Sequence, residues 1–300
     1  MIPALFHYPT SPYSEKLRLA MGMTGASWAS IEVAPQPPRE ALHQLLGGYR
    51  RIPVLQMGAH FYCDTRLAFE SLYAEDPGCT DLTADDETLR DSAEREIFFA
   101  VFSVVSPARV ARFLYRRFGV AGVWRFVRDR TRMMRDSKVR VLPPERAREV
   151  VQEFIAGLAL SLSSRRYLSG VAPGYLDLCC YHPLWMASQI DVRLLSSWPP
   201  SVLQWMERIN SLGHGERLVG AWERVFFDIS QDQEVFSGTV TEPYHLGEFV
   251  GVAPSDYARD ETCGGLVHID QRRVVIARTL QSGDVVYLHF PRSGLDLRRL

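Results

Sequence analysis

Several features are missing from this 300-residue chain, and each absence excludes a class. No apolar run approaches the ~20 residues that a membrane-spanning helix requires. The opening residues, MIPALFHYPT, lack a basic start, a long apolar stretch and a small-residue cleavage site. No signal peptide is therefore expected. The five cysteines, Cys63, Cys79, Cys179, Cys180 and Cys263, are odd in number and form no CxxC. Neither a disulfide framework nor a metal site is expected, and a reducing, cytoplasmic setting fits. There is no internal repeat, no low-complexity segment and no Gly-rich dinucleotide loop, which leaves hydride transfer without a motif.

What is present is ordinary in bulk and uneven in detail. Apolar residues make up 46% and charged residues 23%, ample for a core in two or three domains. Net charge is −1, yet Arg109–Arg148 holds twelve arginines and one lysine against Asp129, Asp136 and Glu145. Three readings of that stretch stand open: solvated arginines, a surface for an anionic substrate or partner, and a basic amphipathic helix on an anionic membrane. No nucleic-acid partner and no stable membrane insertion are expected.

Patterning divides the chain into three parts. Up to about Glu75 the order reads β-α-β-α-β-β-α. The strands are Ala4–Tyr8, Trp28–Val33, Val54–Met57 and His60–Tyr62, and the helices Ser14–Met23, Glu40–Leu46 and Asp64–Ala74. Strand–helix–strand connections imply parallel pairing, and the Gly58-Ala59 hairpin adds an antiparallel edge. From about Leu89 to Phe227 the pattern is entirely helical, punctuated by prolines. From about Ser230 the chain turns to short strands at Val235–Val240, Phe249–Val252, Leu266–Ile269, Val274–Arg278 and Val285–Phe290, a small barrel or curled sheet.

The stretch Ser11-Pro12-Tyr13-Ser14 carries the chemistry. Its spacing is that of a redox CxxC turn, with hydroxyls in place of both sulfurs. A strand, a tight turn and a helix put Ser11 beside unpaired backbone N–H groups and the positive end of the helix dipole, a setting that favours an anion. The turn has no thiolate of its own, but it can stabilise one that arrives on a ligand. A free thiol of pKa ~8.5 is about 3% ionised at pH 7, and a downward shift of ~2 units raises that to roughly three quarters. As a lone motif, the same serine reads first as a helix cap.

Two further stretches bear on it. Pro53 opens a strand in Arg51-Ile52-Pro53-Val54, and a cis Ile52–Pro53 bond would leave the Ile52 backbone open to an extended peptide ligand. Asp64-Thr65 begin a helix. Backbone N–H groups there suit a ligand carboxylate, and the Asp64 side chain suits a ligand ammonium.

Together these stretches resemble the glutathione transferase family. SPYSEKLRLAM is similar to its Ser-type activation turn, RIPVL to its cis-proline strand, and Asp64-Thr65 to the pair that holds the γ-glutamyl group. The resemblance implies a thioredoxin-like α/β domain at residues 1–76, an all-α domain at 85–229 and a small β-barrel-like extension at 230–300. The helical part adds Asp177, a buried folding determinant after a glycine cap at Gly174. The match covers about residues 1–227, and the remainder resembles a C-terminal extension of some bacterial members. That extension reads as a packing or dimer module, or as a cover for the substrate cleft.

The resemblance also implies roles. Ser11 donates to the thiolate of bound glutathione, with Tyr8 as the rival hydroxyl. Ile52, Pro53, Asp64 and Thr65 bind the tripeptide, with Arg51 and His43 near its glycine carboxylate. Tyr13, Phe98 and Phe102 form an apolar wall for a small electrophile. The expected protein is a homodimeric detoxification enzyme of the cytoplasm that uses glutathione as co-substrate and no metal. The alternative is a non-catalytic glutathione-binding or scaffold protein on the same fold.

Overall fold

The computed structural model describes residues 1–74, 77–139, 141–232 and 234–300. The boundary expected at residue 76 lies outside the described residues.

The first part folds as β1 (Ala4–His7), α1 (Pro12–Thr24), β2 (Ser27–Glu32), α2 (Glu40–Leu46), β3 (Val54–Met57), β4 (His60–Tyr62) and α3 (Thr65–Leu72). β1 pairs parallel with β2 and antiparallel with β3, and the β3–β4 hairpin turns at Gly58-Ala59. Local chemistry sets the helix starts. The Ser11 side chain caps α1 with Pro12 in its first turn, and the Asp64 carboxylate caps α3. On β1 the two-residue period sends Leu5 to one face and Ala4 and Phe6 to the other.

The second part comprises α4 (Ala84–Asp91), α5 (Phe98–Val104), α6 (Pro107–Met134), α7 (Pro144–Ser161), α8 (Tyr175–Ile190) and α9 (Pro200–Asn210). A π-helical turn at Ser92–Ile97 joins α4 to α5. α8 packs on α1 and buries Asp177 completely. The Asp177 carboxylate accepts from the amides of Leu168 (2.8 Å), Ser169 (3.1 Å) and Gly174 (3.1 Å) and from Trp205 Nε1 (2.8 Å). This part is not wholly helical. β5 (Glu216–Val219) returns to pair parallel with β2 before α10 (Trp222–Gln231).

The third part contributes β6 (Phe249–Pro254), β7 (Thr262–Ile269), β8 (Arg273–Thr279), β9 (Val285–Pro291) and β10 (Leu295–Arg299). It does not close on itself as a barrel. β9 pairs parallel with β4, giving one ten-stranded sheet in the order β10-β6-β7-β8-β9-β4-β3-β1-β2-β5. Its apolar face shares a core with α2 and α10, where Val250, Leu266 and Phe290 join Leu42, Leu46 and Val225. The approach is close at Gly48, where a Cβ would lie 1.8 Å from the Glu261 carbonyl oxygen. The segment Val235–Val240, expected as a strand, runs as irregular chain. Among the described residues no single helix is long and apolar enough to cross a membrane.

Candidate functional site

A cavity of about 670 Å³ opens where all three parts meet. Its floor is the Arg51–Pro53 loop, whose Ile52–Pro53 peptide is cis, together with the start of α3. One side is the π-helical turn and the first residues of α5, and the other is the extension.

The α3 edge is a polar network built on a buried lysine. Lys16 ion-pairs with Glu94 and donates to Thr65 Oγ1 (2.9 Å) and to the Tyr175 hydroxyl (3.2 Å). Burial alone would raise the Glu94 carboxyl, but the Lys16 ammonium, with His182 and Arg90, overrides it and holds it at about 2. Asp64 accepts from the amides of Arg66 (2.8 Å) and Leu67 (3.3 Å). Its burial, and then the charge of Glu94, push its carboxyl above the ordinary value. The helix-start amides are thus partly committed to Asp64 itself, while its carboxylate stands on the wall available to a ligand cation.

The extension forms the opposite wall with residues 254–257, 290–291 and 293–295. The turn after β6 ties the three parts together. Arg51 ion-pairs with Asp256, donates to the Tyr257 carbonyl, and has its guanidinium 4.1 Å from the centre of the Tyr257 ring. The Lys138 amide donates to the Asp256 carbonyl (2.8 Å), and the Ala258 amide to the Met133 carbonyl (3.3 Å). Phe99 meets Tyr257 edge to face at 5.9 Å. Burial works against the Arg51 cation, yet Tyr257, Tyr49 and Asp256 together raise its pKa above the usual value.

The expected residues separate into two groups. Tyr13, Arg51, Ile52, Pro53, Asp64 and Thr65 all line this cavity. Ser11 does not. It is buried, two residues before the wall residue Tyr13, and its Oγ accepts from the Ser14 amide at 3.1 Å. Tyr8 also lies off the wall, with its hydroxyl 3.4 Å from Arg130 Nη2. His43 is exposed on α2, away from the cavity. Phe98 and Phe102 pack behind the wall. Phe98 contacts Tyr13 at 4.8 Å, Phe102 at 5.6 Å and His182 at 5.8 Å between ring centres, and Phe99 takes the wall position instead. The π-helical turn explains the exchange, because the extra residue it inserts rotates the downstream side chains by about 100°. Asp256, Tyr257 and Glu94 escape sequence reasoning. The first two sit in an irregular loop, and the third is an acid whose partner is 78 residues away.

Residues 5–79 match the glutathione S-transferase N-terminal domain family. A GST-like protein from Pseudomonas syringae superposes over 100% of this chain and 100% of its own, with a TM-score of 0.79 and 27% identity. The likeness therefore includes the extension. A glutathione S-transferase from Rhodospirillum rubrum F11 shares the fold, with a TM-score of 0.51 and 17% identity over 70% of this chain and 88% of its own. No curated protein matches the chain. The architecture is that of a glutathione S-transferase-like protein: a thioredoxin-like domain, a helical domain and C-terminal strands that extend the sheet.

Proposed function

We propose that the protein is a glutathione-dependent transferase in which the tripeptide lies along the Arg51–Pro53 loop and the start of α3. One observation carries the reading. The open backbone of Ile52, the Asp64 carboxylate and Thr65 stand side by side in a single cavity, within the ~300–1,000 Å³ range of small-ligand sites. Backbone pairing at Ile52 suits the central residue of an extended peptide, and Asp64 suits an ammonium group at its end. Ser11, with its oxygen accepting from Ser14, keeps its own proton to donate to the thiolate. Ser11 is buried off the cavity wall, two residues before Tyr13, so contact between the thiol and its hydroxyl requires side chains of that wall to move. The reacting partner is a small electrophile, and the sulfur–electrophile bond forms as the electrophile's leaving group or π-electrons depart.

Calorimetric titration with glutathione, followed by thiolate absorbance across pH in the complex, tests this reading. Binding with a thiol pKa depressed by ~2 units supports it. Ser11→Ala then lowers turnover more than tenfold while affinity stays within about threefold, the split expected of a group that acts on the charged thiolate. Binding without a pKa shift favours the non-catalytic reading, and no binding removes both.

A further inference from the structure

Helix α6 is left unexplained by the cavity. Its chain turns at Gly119 (φ 62°), a conformation that glycine adopts at little cost, and the second half runs back over the first part. That half has two dissimilar faces. Inward, Asp129 pairs with Arg50 and Arg130, and Arg130 donates to the Pro35 carbonyl at 3.1 Å. Outward, Val120, Trp124 and Val127 are 76%, 62% and 49% exposed. Their i, i+4, i+7 spacing puts them on one ridge. Arg125, Arg128 and Arg132 run along its flank, exposed, with the Arg128 guanidinium 5.2 Å from the Trp124 ring centre. Before the turn, Arg112 and Arg116 stand exposed beside Tyr115. Among the described residues these five arginines form no ion pair, and Asp129, the sole acid of residues 107–134, faces inward.

We infer that the outer face of α6 docks the protein onto an anionic phospholipid surface. The ridge enters the boundary between headgroups and acyl chains, and the arginines meet the lipid phosphates. Both halves of the pattern are needed to choose this occupant. Arginines alone fit any polyanion, but a nucleic-acid backbone would leave the Val-Trp-Val ridge in water. The ridge alone fits a second copy of the chain, but two-fold pairing sets the patch against itself and opposes its unpaired arginines. An anionic bilayer offers an apolar phase to the ridge and negative charge to its flank at the same depth, and tryptophan partitions to that depth. Docking of this kind is peripheral and reversible, and it does not rest on the glutathione reading.

The test is cosedimentation of the intact 300-residue chain with phosphatidylcholine vesicles, with and without phosphatidylglycerol. Binding is expected only to the anionic vesicles, with a blue shift of tryptophan emission, and it weakens as salt is added. Arg125→Glu with Arg128→Glu weakens binding at least tenfold, whereas Arg125→Lys with Arg128→Lys retains most of it. Trp124→Ser removes the blue shift. Circular dichroism and melting temperature establish that each variant is folded. Equal binding to both vesicle types, no binding to either, or a blue shift that survives Trp124→Ser overturns the inference. So does a dimer that dissociates on Trp124→Ser, or a preference for duplex DNA over anionic vesicles.

Discussion

The Arg51 guanidinium lies 4.1 Å from the centre of the Tyr257 ring, and its N–H donates to that residue's carbonyl 206 positions along the chain. The cation belongs to the cleft of the first part, whereas the ring and the adjoining Asp256 carboxylate belong to the extension. Any ligand carboxylate approaching Arg51 meets a tethered competitor. The affinity seen from outside is then reduced by the fraction of molecules in which Arg51 is free. Asp256→Asn is expected to tighten glutathione binding about three- to tenfold, or ~0.7–1.4 kcal/mol, as read by calorimetry. Unchanged or weaker binding would mean that Arg51 does not touch the ligand.

Asp177 holds two helices and a loop through four hydrogen bonds in a fully buried setting. Asp177→Ala leaves three backbone N–H groups and an indole N–H without their acceptor. The expected loss is about 3–5 kcal/mol, read from the urea midpoint. Trp205→Phe, which removes one donor and keeps most of the ring volume, should cost clearly less. Equal losses would place the effect in ring packing.

Stability should fall on mild acidification. Burial, and then the Arg18 charge for His7 or the Lys16 charge for His182, holds each imidazole at about 3. Unfolded histidines titrate near 6.5. Below that pH the unfolded chain takes up protons that the fold excludes. Each histidine therefore withdraws up to about 1.4 kcal/mol per pH unit as pH drops from 6.5 towards 3. Glu94 adds its share lower down, present above 4.5 and lost as pH falls from there to about 2. Urea midpoints should decline between pH 6.5 and 5, and a flat profile over that range would contradict the neutral buried state of both histidines.

Gly48→Ala tests how the extension is seated. The added methyl meets a backbone carbonyl at 1.8 Å, which no side-chain rotation relieves. A cost of about 1–3 kcal/mol is expected, with faster proteolysis of residues 255–300 than in the parent protein. Unaltered protection and stability would mean that the two backbones separate freely there.

The first part is legible in the sequence because its signals are local. Asp64 and Ser11 announce helix starts by their own side chains, and the strands around Leu5 and Val54 are short, apolar and bounded by turns. β5 and β10 are not legible. ERLV and LDLRR carry little apolar content because they lie at the two outer edges of the sheet, largely in water, and their pairing comes from neighbours distant in the chain. Val235–Val240 has strand composition, but its Gly238 packs against the Val267 carbonyl, and it follows no ladder. The cavity is legible by half. Arg51, Ile52 and Asp64 belong to elements with local signatures, whereas Phe99 depends on a π-helical turn and Tyr257 on a loop placed by tertiary contacts. The buried charges Glu15, Lys16 and Arg18 mimic an exposed helix face in sequence. They are tolerated because each is paired, Glu15 with Arg18 and Lys16 with Glu94.

The parallel seam between β4 and β9 sets a schedule for the growing chain. About 220 residues separate the two strands, so at ~5–20 residues per second the outer edge of β4 waits about 10–45 s for its neighbour to be made. During that interval the hairpin presents unpaired N–H and C=O groups to any strand nearby. Yield at the ribosome should therefore depend on what shields that edge, and a slow codon stretch before β9 would lower the soluble fraction without changing a single contact of the finished fold.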